Sequence, residues 1–179
     1  MNWEKLKSDI AEAATTVFTS LMSQHPSEHF YAFALYTDED GYTVMPSANS
    51  VEQYAAILAK TRAVDPLDRA SYPWSTAEWA YEAWGAEAFT GIYRELEHHR
   101  QTLPKTDEAY AEYKRSLHAC MTGALARVGL FADRGGDVVL FISSSDDDEA
   151  FELENGSAKE LNSEAVYRSF LERYGDTYK

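Results

Sequence analysis

Phe30-Tyr31-Ala32-Phe33-Ala34-Leu35-Tyr36 is the run that decides how the rest of the chain must be arranged. It is too continuously apolar and aromatic for a strand with one face in water, so it reads as a central strand covered on both sides. Asp38-Glu39-Asp40-Gly41 then turns the chain, and Tyr42 to Met45 returns as an antiparallel partner. On the N-terminal side, Trp3, Leu6, Ile10, Ala13, Ala14, Val17 and Leu21 recur at helical spacing, with Glu4, Lys7 and Glu12 turned away. Asn2 is placed to cap this helix and Pro26 to stop it.

On the C-terminal side, Ser50-Val51-Glu52-Gln53 has the capping-box pattern and predicts a helix to about Thr61. A loop follows from Val64 to Pro73. Tyr72-Pro73-Trp74-Ser75-Thr76-Ala77-Glu78-Trp79 repeats the capping box at Ser75 and Glu78, with Trp74 and Trp79 at the positions of a hydrophobic staple. The expectation is a helix from there toward His99, bent near Gly85. Thr106 caps another helix carrying Tyr110, Tyr113, Leu117, Cys120, Met121 and Leu125, which Gly129 ends. Val138 to Ile142 is a buried strand, Phe151–Leu153 a short edge strand, Ser157-Ala158-Lys159-Glu160 a further capping box, and Ser163 to Tyr174 a last helix. The order is α-β-β-α-α-α-β-α, an α+β domain over residues 1–179 with helices packed on a small, mainly antiparallel sheet of three to four strands.

A chain of 179 residues buries roughly 70% of its unfolded surface and needs no metal or disulfide staple. Sixteen Lys and Arg against thirty Asp and Glu give a net charge of -14. That surface repels phosphate backbones and anionic membranes and attracts a basic partner. Cys120, alone of its kind, excludes an internal disulfide and reads as a small buried hydrophobe. The opening Met1-Asn2-Trp3-Glu4-Lys5 lacks a signal-peptide layout, and no apolar run approaches a bilayer span, so the expected location is the cytoplasm.

Chemistry is sparse. Ser143-Ser144-Ser145-Asp146-Asp147-Asp148-Glu149 follows a buried strand, but it lacks the alternating ligands, fixed glycine and terminal glutamate of a calcium loop. Asp146, Asp147, Asp148 and Glu149 therefore read as a solvated or partner-facing loop, and no metal or cofactor is expected. The histidines (His25, His29, His98, His99, His118) make no zinc-hydrolase pair, and no nucleophile elbow or phosphate-binding glycine loop is present. No residue is assigned a catalytic role. Trp74, Glu78 and Trp79 form a second candidate contact, since two tryptophans beside a carboxylate resemble a binding hot spot as well as a stapled cap.

The aromatic strand His29 to Tyr36, the Asn49-Ser50 helix start, Trp74-Ser75-Thr76-Ala77-Glu78-Trp79-Ala80, Val138 to Ile142, Asp146 and Leu161-Asn162 together resemble the bacterial family "domain of unknown function 4303". The resemblance covers most of the chain, with the Trp-Ser-x-x-Glu-Trp element its most specific part. It implies a bacterial cytoplasmic single-domain protein and supplies no catalytic residues. By analogy, small acidic domains of this kind resemble immunity proteins. The functional expectation is an acidic binding protein, an immunity protein that neutralises a basic toxin domain. The alternative is an enzyme or small-ligand protein with a pocket near the Trp74–Trp79 helix start. Self-association through exposed Tyr and Trp is a third option.

Overall fold

A computed structural model describes residues 1–60, 72–131, 138–145, 147 and 149–174. In chain order these residues form α1 (Trp3–Gln24), β1 (Phe30–Asp38), β2 (Met45–Ser50), α2 (Val51–Lys60), β3 (Tyr81–Glu82), α3 (Thr90–Thr102), α4 (Asp107–Ala126), β4 (Val139–Ser145), α5 (Ala150–Leu161) and α6 (Glu164–Leu171). Single 3-10 turns lie at Thr76–Glu78, Ala86–Phe89 and Gly129–Phe131. The class is α+β. The sheet order is β3-β2-β1-β4, so the aromatic strand is central.

Alternation along β1 divides two cores. Phe33 and Leu35, with Leu140 and Ile142 of β4, pack against Leu6, Ile10, Val17 and Phe18 of α1 and Leu117, Met121 and Leu125 of α4. On the other face Ala32, Ala34, Val139 and Phe141 pack against Trp79, Val166 and Phe170. The small alanines leave room there for an indole.

β1–β2 is antiparallel, as expected, although the returning strand spans Met45–Ser50 and not Tyr42 to Met45; β2–β3, which was not foreseen, is antiparallel too, but β4 joins β1 in parallel, from Ala32 opposite Val139 to Asp38 opposite Ser145. The order of elements also departs from expectation in the middle of the chain. Ser75 makes no side-chain cap, and its turn ends after Glu78 with Trp79 extended at ψ 147. Trp79 must drive its ring edge-on against Phe141 at 5.7 Å, while Ser47 Oγ donates to the Thr76 carbonyl at 3.0 Å. These tertiary contacts override the local helix signal. Tyr81 and Glu82 then pair with β2, and Ala83 (φ 50) and Gly85 (φ 74) adopt left-handed backbone that no helix continues through. At Gly85 a Cβ would lie 3.0 Å from Val17 Cγ2, so the bend is also a close approach to α1. The helix therefore starts only at Thr90.

Two further expectations change at the C-terminal end. Phe151–Leu153 is the first turn of α5, not an edge strand, and Ser157 lies inside that helix, not at its cap. β4 is an edge strand, and α5 seals it with side chains. Ser157 Oγ accepts from Ile142 N–H at 3.0 Å. Asn162 accepts from Leu140 N–H at 2.9 Å and donates to Leu140 C=O at 2.7 Å, as a neighbouring strand would. Other caps form as read: Asn2 and Thr106 accept from Lys5 and Ala109 N–H, and Ser50 accepts from Gln53 N–H at 3.1 Å, while Ser163, read only as the start of the last helix, caps α6 by accepting from Val166 N–H. α4 ends at Ala126, with Gly129 in the turn beyond it.

Candidate functional site

Because β1 and β4 run parallel, the loops that follow them leave the sheet at the same end. The turn after β1 is closed by hydrogen bonds to one carboxylate. Asp38 accepts from the N–H groups of Asp40, Tyr42 and Thr43 at 3.1, 3.1 and 2.8 Å and from the Thr43 hydroxyl at 2.6 Å. Tyr113 donates to the Gly41 carbonyl at 2.6 Å, where φ is 72 and a Cβ would meet Tyr113 Cε1 at 2.9 Å, so glycine is required. Glu39 is thereby held outward beside the loop that contains Asp147.

α4 runs along this end and presents Asp107, Tyr110, Ala111, Lys114, Arg115 and His118 on one face. Between that face, Glu39 and the start of α5 lie two adjoining hollows of about 620 and 500 Å³, which share His118, Asp147 and Glu149. Lys114 Nζ and Asp147 Oδ2 meet at 2.7 Å inside the groove. Burial raises the Asp147 pKa, but the hydrogen bonds from Lys114 and the Glu149 N–H outweigh it and hold the carboxyl below its usual range. Burial, helped by the Lys114 charge, depresses His118, whose Nε2 is buried without a hydrogen-bond partner. Arg115 is taken by Glu112 at 2.6 Å. The groove's cations are thus each paired, Lys114 within it and Arg115 with Glu112 outside its lining, whereas Glu39, Asp107, Glu149 and Glu152 line it exposed and without ion-pair partners among the described residues. Its net sign is negative.

Asp147 and Glu149 were expected at a contact, and the fold brings both into this groove, although Asp147 turns inward to Lys114. Asp146 and Asp148 lie outside the described residues. Trp74, Glu78 and Trp79 are not brought to it. Trp79 is 3% exposed and belongs to the core, its Nε1 donating to the Pro73 carbonyl at 3.1 Å, which corrects its reading as a contact residue. Trp74 packs edge-on against Phe170 at 5.3 Å and Tyr31 at 5.7 Å, the staple being made with the sheet and α6. Glu78 is exposed on the short turn. Trp74, Ser75, Glu78 and Trp79 line neither of the two adjoining hollows.

Sequence reading missed Glu39, Asp107, Lys114, His118 and Glu152. The signal was the i, i+4, i+8 spacing of Tyr110, Lys114 and His118, a polar stripe beside the apolar stripe of α4. The other polar clusters serve structure. Glu28 accepts from Ser50 Oγ at 2.5 Å, Gln53 Nε2 at 2.8 Å and Tyr81 OH at 2.8 Å; burial opposes its ionisation, but these donors and His25 keep its pKa lowered. Asn49 Nδ2 donates to Tyr31 OH at 2.9 Å, which donates to the Pro73 carbonyl at 2.7 Å. Cys120 is buried, and burial pushes its thiol up to about 11. Among the described residues no group of three or more His, Cys, Asp and Glu is placed to hold a metal, and no helix is long and apolar enough to cross a membrane.

Compared with known families, residues 10–163 match the model described as "Domain of unknown function (DUF4303)". No curated protein and no solved structure matches the chain.

Proposed function

For a chain that belongs to the DUF4303 family of unknown function, we propose that the activity is binding: an acidic surface that captures a basic protein. The specific partner we infer is a basic toxin domain, which the chain neutralises by direct contact as an immunity protein. One observation carries this reading. Glu39, Asp107, Glu149 and Glu152, from two loops and two helices, converge on one groove whose own cations are already paired. On a chain of net charge -14, that local excess gives long-range attraction a place to focus. Association is then fast and weakens with salt, because exposed charges are screened within about 8 Å at physiological ionic strength.

Capture from the native cell at low ionic strength should recover a basic toxin-like chain, and adding the protein should suppress that chain's toxicity. The variant E39Q/D107N/E149Q/E152Q should slow association about tenfold or more at low salt. The control E12Q/E87Q/E97Q/E160Q removes the same charge from exposed positions elsewhere and should slow it much less. Equal slowing by both sets would remove the groove from the reading. A specific partner that is acidic, or one whose activity survives binding, would remove the reading itself.

A further inference from the structure

The larger hollow of the groove has an aromatic wall. Tyr110 of α4 lines it together with Glu39 from the turn after β1, Asp107 at the start of α4 and Glu149 just before α5. Behind the ring lies a cation. The Arg100 guanidinium of α3 sits over the Tyr110 ring at 4.5 Å and over those of Tyr42 and Tyr113 at 4.7 and 5.6 Å, and it donates to Asp40 Oδ1 at 3.3 Å. The Arg100 side chain is only 8% exposed and does not line the hollow, so the ring stands between this cation and the groove. Arg100 thereby ties α3, the turn that carries Glu39 and α4 together, and it fixes the Tyr110 ring before any partner arrives.

Lys114 and Arg115 share the hollow, but each is paired, with Asp147 and Glu112. Glu39, Asp107 and Glu149 are exposed and without ion-pair partners among the described residues. A flat ring bordered by such carboxylates suits a planar cation whose N–H groups lie in its own plane. Because Arg100 already occupies one side of the ring, a second cation gains little from the ring's charge distribution. What the groove side offers is stacking, which a guanidinium can use and an ammonium cannot. The lining follows α4 from Asp107 to His118, about 16 Å at the helical rise, so the groove fits a segment of polypeptide and not one side chain alone.

We infer that Tyr110 is the residue by which the groove selects arginine over lysine, an arginine of a basic protein partner stacking on its ring and donating to Glu39, Asp107 or Glu149. Arg100 is the positioning residue behind that ring. This rests on the binding reading above and names the side chain that the partner must present. A second copy of this chain is the wrong occupant, because it would bring more unpaired carboxylates to the groove.

The test titrates the full-length protein at low salt with hexa-arginine, hexa-lysine and free arginine. Calorimetry should show hexa-arginine binding about fivefold more tightly than hexa-lysine, with free arginine far weaker than either. Y110L should bring the two peptides to equal affinity, whereas Y110F keeps the ring and should keep the preference. R100K retains the charge but not the planar stack, and it should reduce the preference while hexa-lysine still binds. Thermal melts report whether each variant is folded. The Tyr110 ring signals, identified by their loss in Y110F, should shift with hexa-arginine and not with hexa-lysine, a readout that needs no perturbed protein. A preference that survives Y110L, or ring signals unmoved by hexa-arginine, would overturn the role of Tyr110 and leave the binding reading in place. Binding of neither peptide would count against both. Free arginine binding as tightly as hexa-arginine would replace the protein partner by a small guanidinium compound.

Discussion

Replacing Asn162 by alanine tests how the edge of the sheet is closed. The Asn162 side chain makes three hydrogen bonds, with Leu140 N–H at 2.9 Å, Leu140 C=O at 2.7 Å and Ala158 C=O at 2.7 Å. Leu140 is 7% exposed, so alanine leaves a donor and an acceptor on a buried strand without partners. Each such orphan costs about 1–3 kcal/mol. Asn162 is itself only partly buried, so water reaches some of the vacated space, and the lower half of the sum, about 2–4 kcal/mol, is expected. For a chain of 179 residues that corresponds to a fall in Tm of about 5–15 °C. Urea unfolding should show it as a shifted midpoint at unchanged slope, and hydrogen exchange should show selective loss of protection at the Leu140 amide. N162D should be no better than alanine, because its second oxygen faces the Leu140 and Ala158 carbonyls. An N162A variant within about 0.5 kcal/mol of the parent, the range of ordinary surface substitutions, would refute the reasoning. So would unaltered Leu140 exchange.

Arg173→Ala should cost about 3–5 kcal/mol at neutral pH, since it strands Glu154 in the interior. Burial holds the Glu154 carboxyl above its usual range even with Arg173 beside it, so its contribution is fullest at low pH and declines as pH rises through its folded value. The R173A deficit should therefore shrink as pH falls, and a pH-independent deficit in chemical unfolding would contradict this. His118 has the opposite sign: its folded pKa lies below the unfolded 6.5, so the stability it contributes is complete above that value and lost as pH falls below it. H118Q should remove one part of the acid-side decline in stability, leaving the parts due to His99, which burial also depresses, and to the lowered carboxyls of Glu28 and Asp147. An unchanged profile, or an imidazole that titrates normally by NMR, would contradict the burial argument. Gly85→Ala should cost about 1–3 kcal/mol from the left-handed backbone and the Val17 contact, and a neutral result in thermal unfolding would mean that α1 yields freely there.

The central strand, α1, the caps at Asn2, Ser50 and Thr106, and the break before α4 were legible because each signal is local. Continuous aromatic character, helical spacing and a hydroxyl before an apolar run act within a few residues of themselves. The Ser75–Glu78 and Ser157–Glu160 patterns failed for the complementary reason. The first is overruled by the space above Ala32 and Ala34 that Trp79 fills, the second by the open backbone of β4 that Ser157 closes. Both partners are remote in sequence.

Of the candidate site, Asp147 and Glu149 were visible as charge, but Glu39, Asp107, His118 and Glu152 became neighbours only when β4 paired in parallel with β1. What the amino-acid sequence alone determined was the class, the buried central strand and an acidic exterior, because composition and short-range periodicity act before any long-range contact forms. Tertiary structure decided strand direction, the core role of Trp79 and the convergence of unpaired carboxylates at one end of the sheet. Those depend on which distant backbone and side-chain groups satisfy one another, and no stretch of chain carries that information by itself.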